Sequence, residues 1–273
     1  MDVDAERRAA GHILTELGFD VGRTAEGVRG SAQVVPEMWV PGTTSLRTSI
    51  LATWVDHVSG LAAIGVLAPR VPVTLELDVH VYEQAPSHGT VHVASRLVKA
   101  GRSVVVCGVD ITDDDGHLVA IGAASFMAAP DPRLELPTHI SLDALPTTSR
   151  GLLRLPFAER AGCRRGEPGV AVLPRADDGL NASGTVNGGL IALVVEEAAL
   201  SLTPGATLSS MALRYLRPVR TGPAVATADV RAGLGRVEVR DAGGDDRPVV
   251  TATTRTSADR VAPAGAPAPA NAF

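Results

Sequence analysis

Aromatic side chains are scarce in this chain of 273 residues: two Trp, two Tyr and four Phe, 3% in all. A protein that stacks on nucleic-acid bases needs aromatic rings set in a basic surface. Here acids outnumber Lys and Arg by 30 to 25 and the net charge is −5, so no nucleic-acid partner is expected. Lysine is rarer still, with Lys99 alone among the cations that are otherwise arginine. Cysteine is limited to Cys107 and Cys163, too few and too far apart for a disulfide framework or a zinc knuckle. The opening MDVDAERRAAG is acidic and holds no apolar stretch of the signal-peptide kind. The most apolar window, residues 50–68, is broken by Asp56 and His57, so no membrane span is expected either, and the expected location is the cytoplasm. No Gly-x-Ser-x-Gly elbow, phosphate-binding loop or His-Glu-x-x-His motif occurs, and neither a metal nor a cofactor is called for.

What the chain does have is a large apolar fraction, 45% against 20% charged, enough for a packed core. Its length suits two domains of ordinary size. One pattern occurs twice. ILATWVDHVSGLAA around Ile50 and LIALVVEEAALSL around Leu190 are both apolar helical runs with an acid in mid-helix, Asp56 and Glu196, 140 residues apart. Gly101-Arg102 before SVVVCGVDI answers Gly235-Arg236 before VEVRDA, and Gly18 answers Gly162, at separations of 134 and 144. Three matches in the same order point to a duplication. Each copy reads as a short helix (residues 11–17, then 157–161), a strand, a long apolar helix and four strands. Asp115-Gly116 forms the last hairpin turn of the first copy, and Gly243-Gly244 stands near that of the second. A helix followed by antiparallel strands must bury itself against the sheet, so the fold class is α+β. The expected units are residues 1–130 and 152–260, joined by a proline-bearing linker at 131–151 and followed by a disordered, low-complexity tail at 261–273.

The most informative stretch is Asn181-Ala-Ser-Gly184-Thr-Val-Asn187-Gly188-Gly189, directly before the second apolar helix. Glycines at a helix start let another group approach the backbone. The first N–H groups of a helix lack internal partners and carry the positive end of its dipole, which suits a developing oxyanion. The plainer alternative is that Asn187 is an N-cap and the glycines form a tight turn.

Asn-x-x-Gly-x-x-Asn-Gly-Gly with an acid nine residues beyond Asn187 resembles the phenylacetate-type acyl-CoA thioesterase family of the hotdog fold, whose pattern has His where Asn187 stands. LRYLRP at residues 213–218 is similar to the family's strand after the helix. The resemblance implies a double hotdog, two tandem units each with a long helix wrapped by an antiparallel sheet. It implies a hydrolase that cleaves acyl-CoA to free acid and CoA. In the first copy Arg47-Thr48-Ser49 replaces the glycine turn, and Pro41 and Thr44 replace Asn181 and Gly184.

Nine helical residues at ~1.5 Å each hold Asn187 and Glu196 roughly 13–14 Å apart along the axis. A base and an oxyanion donor must both lie within about 3 Å of the reacting atoms, so one helix cannot supply both. In hotdog dimers, the resemblance implies, the acid of one unit faces the helix start of the other. Two unequal sites follow: Asp56 with Asn181, Asn187, Gly188 and Gly189, and Glu196 with Arg47, Thr48 and Ser49. The expected catalytic set is Asp56, Asn187, Gly188, Gly189 and Glu196; the expected substrate contacts are Asn181, Gly184, Arg47, Ser59, Arg102 and Arg217. Arg47 could instead obstruct its site, Thr53 and Ser59 flank Asp56 by one turn, and His57 and Glu197 read as surface or ion-paired neighbours. Few aromatics favour an aliphatic acyl group. The alternatives are a non-catalytic acyl-CoA binder and an enoyl-CoA hydratase or dehydratase, which needs a catalytic His that neither helix start provides. A homodimer of fused pairs is a further expectation.

Overall fold

The computed structural model describes residues 12–25, 27–82, 87–136, 152–181 and 183–258. The tail at 261–273 and most of the expected linker lie outside them. The elements run β1 (Asp20–Thr24), β2 (Gly27–Gln33), α1 (Thr48–Leu67), β3 (Pro72–Val81), β4 (Thr90–Ala100), β5 (Val105–Thr112) and β6 (Leu118–Ala128). After the linker come α2 (Phe157–Arg160), β7 (Arg164–Arg165), β8 (Val170–Leu173), α3 (Gly188–Ser201), β9 (Ala206–Tyr215), β10 (Ala224–Arg231), β11 (Leu234–Asp241) and β12 (Pro248–Ala258).

The twelve strands of the described residues form one antiparallel sheet in the order β1-β2-β4-β5-β6-β3-β9-β12-β11-β10-β8-β7. The order of the second six mirrors that of the first, and the halves meet where Glu76 pairs with Arg214 and His80 with Ser210. The fold is the hotdog fold, with few helices against a large antiparallel sheet. Two strands precede each long helix where the sequence pattern suggested one. Each pair lies at an end of the sheet, where the outermost strands β1 and β7 are short, are paired on one side only and show no period-2 alternation.

The interior strands show why the sheet folds one face inward. Along β5, Val105, Cys107, Val109 and Ile111 are buried in alternation, the period of a strand with one face on a core. The helices are apolar nearly all round, because each is wrapped rather than laid on a surface. In α1 even Trp54, Val55 and Val58 are fully covered. This helix is long and apolar enough to cross a membrane, but here it packs inside the sheet. Pro69, with no N–H to donate, follows its end. The expected first short helix is a 3-10 turn over Ile13–Leu17, closed by Gly18 at φ 61°.

Candidate active site between two helix starts

The two long helices begin where the acid spacing puts them, with Arg47 and Asn187 as their N-caps. They pack antiparallel: Asp56 lies by Gly188, Thr53 by Gly189, and Ser49 by Glu196. Each helix start therefore faces the mid-helix acid of the other half. The two ends of this helix pair have become chemically different.

At one end, Thr74 donates a hydrogen bond from Oγ1 to Asp56 Oδ1 at 2.9 Å. That leaves Oδ2 facing Gly188, where an added Cβ would stand 3.2 Å from Oδ2 and 3.2 Å from the Tyr215 hydroxyl. Tyr215 donates to the Gly188 carbonyl oxygen at 3.0 Å. Among the described residues Asp56 has no cationic partner. Burial disfavours its charge and pushes the carboxyl up from 3.8 to about 6, with the Thr74 hydroxyl pulling the other way. Burial, then the Asp56 charge, holds the Tyr215 phenol well above its ordinary value. A carboxylate titrating near 6 in a half-buried setting is suited to accept a proton near neutrality.

Asn187 acts as a true N-cap: its Oδ1 accepts the Gly189 N–H at 2.8 Å. Both Leu190 and Ile191 donate to the Asn187 carbonyl. The expectation that Gly188 and Gly189 would both donate to an oxyanion needs correction, because the Gly189 N–H is already engaged. Among the described residues, the Gly188 N–H has no acceptor, and with Oδ1 committed the Asn187 amide presents Nδ2 as a donor. Gly189 instead permits helix contact, since the Thr53 side chain would meet any Cβ placed there. Thr53 itself bonds back to the Ser49 carbonyl at 2.8 Å.

Asn181 and Gly184 shape the turn before α3. Asn181 Oδ1 accepts from Ser183 N at 2.9 Å, Thr185 N at 3.2 Å and Thr185 Oγ1 at 3.1 Å, and Gly184 takes φ 71°. The turn is pinned by Val186 N to the Val219 carbonyl and by Asn187 N to the Gly179 carbonyl. His12 adds a bond from Nε2 to the Leu180 carbonyl at 3.0 Å while its Nδ1 accepts from Leu14 N. Burial holds this imidazole below its ordinary pKa, and acceptance at Nδ1 requires that nitrogen to carry no proton.

The other end is closed. Glu196 is 0% exposed, and its carboxylate takes Ser49 Oγ at 2.7 Å, Ser49 N at 3.3 Å and Arg47 Nη1 at 3.0 Å. Arg47 is also 0% exposed and pairs with Glu197 at 2.6 Å, which in turn receives Arg165 Nε at 2.7 Å. Glu196 and Arg47, expected as an acid and a substrate contact, are thus joined to each other out of solvent. Glu197 is ion-paired, as expected, but buried.

Three other expected contacts lie elsewhere. Ser59 is fully buried, and among the described residues its hydroxyl has no hydrogen-bond partner and so does not bond Asp56, while its backbone carbonyl accepts from Cys107 Sγ at 3.7 Å. Arg102 is exposed in the β4–β5 turn, and β5, β6 and β3 separate β4 from β9 in the sheet. Arg217 is exposed two residues beyond Tyr215 and donates to the Pro248 carbonyl at 3.1 Å. His57 is exposed, its ring edge-on to Phe19 at 5.9 Å. Thr74 and Tyr215 belong to the site although no sequence motif marks either. Tyr215 is one of only two tyrosines, a rarity that could have drawn attention; nothing in the pattern marks Thr74.

Residues 49–120 match the family model of the thioesterase superfamily. This segment runs from α1 into β6, in the half that lacks the glycine turn. A search of the curated proteins by sequence finds no match. Among solved structures, the chain is similar to a 12:0-ACP thioesterase from Umbellularia californica, at 15% identity and TM-score 0.62, over 86% of this chain and 99% of that one. It is similar to an acyl-ACP thioesterase from Bacteroides thetaiotaomicron, at 16% and 0.57, over 84% and 98%. A protein of unknown function with a hot dog fold from Alicyclobacillus acidocaldarius gives 16% and 0.58, over 90% and 98%. At such identities the likeness establishes the shared fold.

Proposed function

We propose that this chain is a thioester hydrolase of the hotdog fold, built as two fused units over about residues 1–130 and 152–260, with one composite site. The mirrored strand order and the helix starts 140 residues apart support the tandem reading. The observation that carries the function is the opposition of Asp56 Oδ2 to Gly188 across the two halves. The thioester carbonyl oxygen points at the Gly188 N–H and the Asn187 amide, at the positive end of α3. Asp56 Oδ2 then takes a proton from a water that attacks the carbonyl carbon, or attacks that carbon itself to form a mixed anhydride that water later opens. In either route the C–S bond breaks and the thiol and the free acid leave. The Thr74 bond fixes which carboxylate oxygen reacts.

The substrate in this reading is an aliphatic acyl-CoA. Free-thiol release from a panel of acyl-CoAs of increasing chain length tests the reading. A 2-enoyl-CoA that gains water without releasing thiol would indicate a hydratase instead. The engaged Gly189 N–H favours one second reading, a non-catalytic acyl-CoA binder, since it leaves a single backbone donor. Tight binding with no thiol release across the panel would select it.

A further inference from the structure

The closed end of the helix pair has its own logic, and it rests on the reading just given. The acid and the helix start of the open site have counterparts there 140 residues away in sequence: Glu196 for Asp56, Arg47 for Asn187, Thr48 and Ser49 for Gly188 and Gly189. On α3 the helix start is capped by its own N-cap side chain, which leaves the Gly188 N–H available. On α1 the N-cap residue Arg47 has no capping oxygen, and no side-chain cap bond comes from it. The cap arrives from the other half, as the Glu196 carboxylate on Ser49 N and Ser49 Oγ. An acid lying on the helix start occupies the place where a thioester oxygen would accumulate charge. Arg47 then seals the space. Its guanidinium is fully buried between Glu196 and Glu197, and its Nε and Nη2 have no hydrogen-bond partner among the described residues.

We propose that this cluster is a second thioester site shut by its own acid, so that each chain takes one thioester rather than two. Its members come from both halves: Arg47 and Ser49 from one, Glu196, Glu197 and Arg165 from the other. Buried Arg47 and the more exposed Arg165 balance the two buried glutamates in charge, and removing one of the buried partners leaves an uncompensated buried ion. The closed site therefore works as a lock that holds α1 against α3.

The test uses the full chain, with Glu196→Gln and Asp56→Asn compared in two measurements, thermal unfolding and kcat/KM on an acyl-CoA. The expected result for Glu196→Gln is a Tm lower by several degrees with kcat/KM of the folded protein within about threefold of the parent. For Asp56→Asn it is a loss of ~10²–10⁴-fold in kcat/KM with no fall in Tm. A loss from Glu196→Gln as large as that from Asp56→Asn would overturn the closed-site proposal. So would a Glu196→Gln protein as stable as the parent, which needs no turnover to observe. Calorimetric titration of the parent with a non-hydrolysable acyl-CoA thioether should give one site per chain, and two would overturn the proposal. If the parent releases no thiol, the hydrolase reading fails by itself, and the stability arm still decides whether the cluster is a lock.

Discussion

Replacing Asp56 by Asn should make the protein more stable and less active at once. The carboxyl is raised from 3.8 to about 6 because burial penalises its charged form. A carboxyl whose folded pKa lies above its unfolded value binds the proton better when folded. Its contribution to stability is full below about pH 3.8 and is lost as pH rises through about 6. At about 1.36 kcal/mol per pKa unit, the loss at pH 8 approaches ~3 kcal/mol. Asn keeps the size of Asp and an oxygen for the Thr74 hydroxyl, and it carries no charge to desolvate. Urea unfolding at pH 8 should therefore show Asp56→Asn more stable than the parent by about 1–3 kcal/mol, and the gain should shrink towards zero near pH 4. In the same protein kcat/KM should fall by ~10²–10⁴-fold, or about 3–5 kcal/mol of transition-state stabilisation. A group that costs stability and supports turnover is what a preorganised site requires. The reasoning is refuted if Asp56→Asn unfolds more easily than the parent at pH 8, or if its kcat/KM matches the parent's.

Thr74→Val removes the one hydroxyl that favours the ionised Asp56, so the acid limb of the kcat/KM profile, expected near pH 6 in the parent, should move to higher pH; an unmoved limb would separate Asp56 from the rate. Gly188→Ala puts a methyl group 3.2 Å from both Asp56 Oδ2 and the Tyr215 hydroxyl, and steady-state kinetics should show a drop of ~10²-fold or more in kcat/KM with the fold intact by circular dichroism. Asp241 binds the backbone N–H groups of Arg220, Thr221 and Gly222 at 2.8, 3.1 and 2.6 Å, and these bonds outweigh its burial to hold the carboxyl below the usual range. Its support is present above about pH 4 and lost as pH falls below that. Asp241→Ala should accordingly destabilise the protein by about 1–3 kcal/mol at pH 7, measured by denaturant unfolding, and by less at pH 3.

Much of this architecture is legible in the residues alone. The run of apolar residues around Asp56 and around Glu196, with glycine and proline at the flanks, places both helices to within a residue or two of their observed starts. The rise of a helix forbids Asn187 and Glu196 from meeting at one carbonyl; that the acid of one half faces the turn of the other comes from the family resemblance. The helix starts and that exclusion depend on distances along a single element, and the sequence determines those by itself. Tertiary structure decided what separate elements bring to the same point. A register shift in β3 between Thr74 and Glu76 and the end of β9 at Tyr215 put two hydroxyls beside Asp56 and the Gly188 backbone. The loss of glycine at Thr48 and Ser49 suggested a weakened second site. That Glu196 would itself settle on Ser49, with Arg47 between it and Glu197, depends on how four side chains from both halves share one desolvated space. Likewise, whether Gly189 donates to a substrate or to Asn187 turns on a single side-chain rotation at the helix start. Spacing along a chain constrains axial distance strongly, but it leaves side-chain partners open until the sheet closes around the helices.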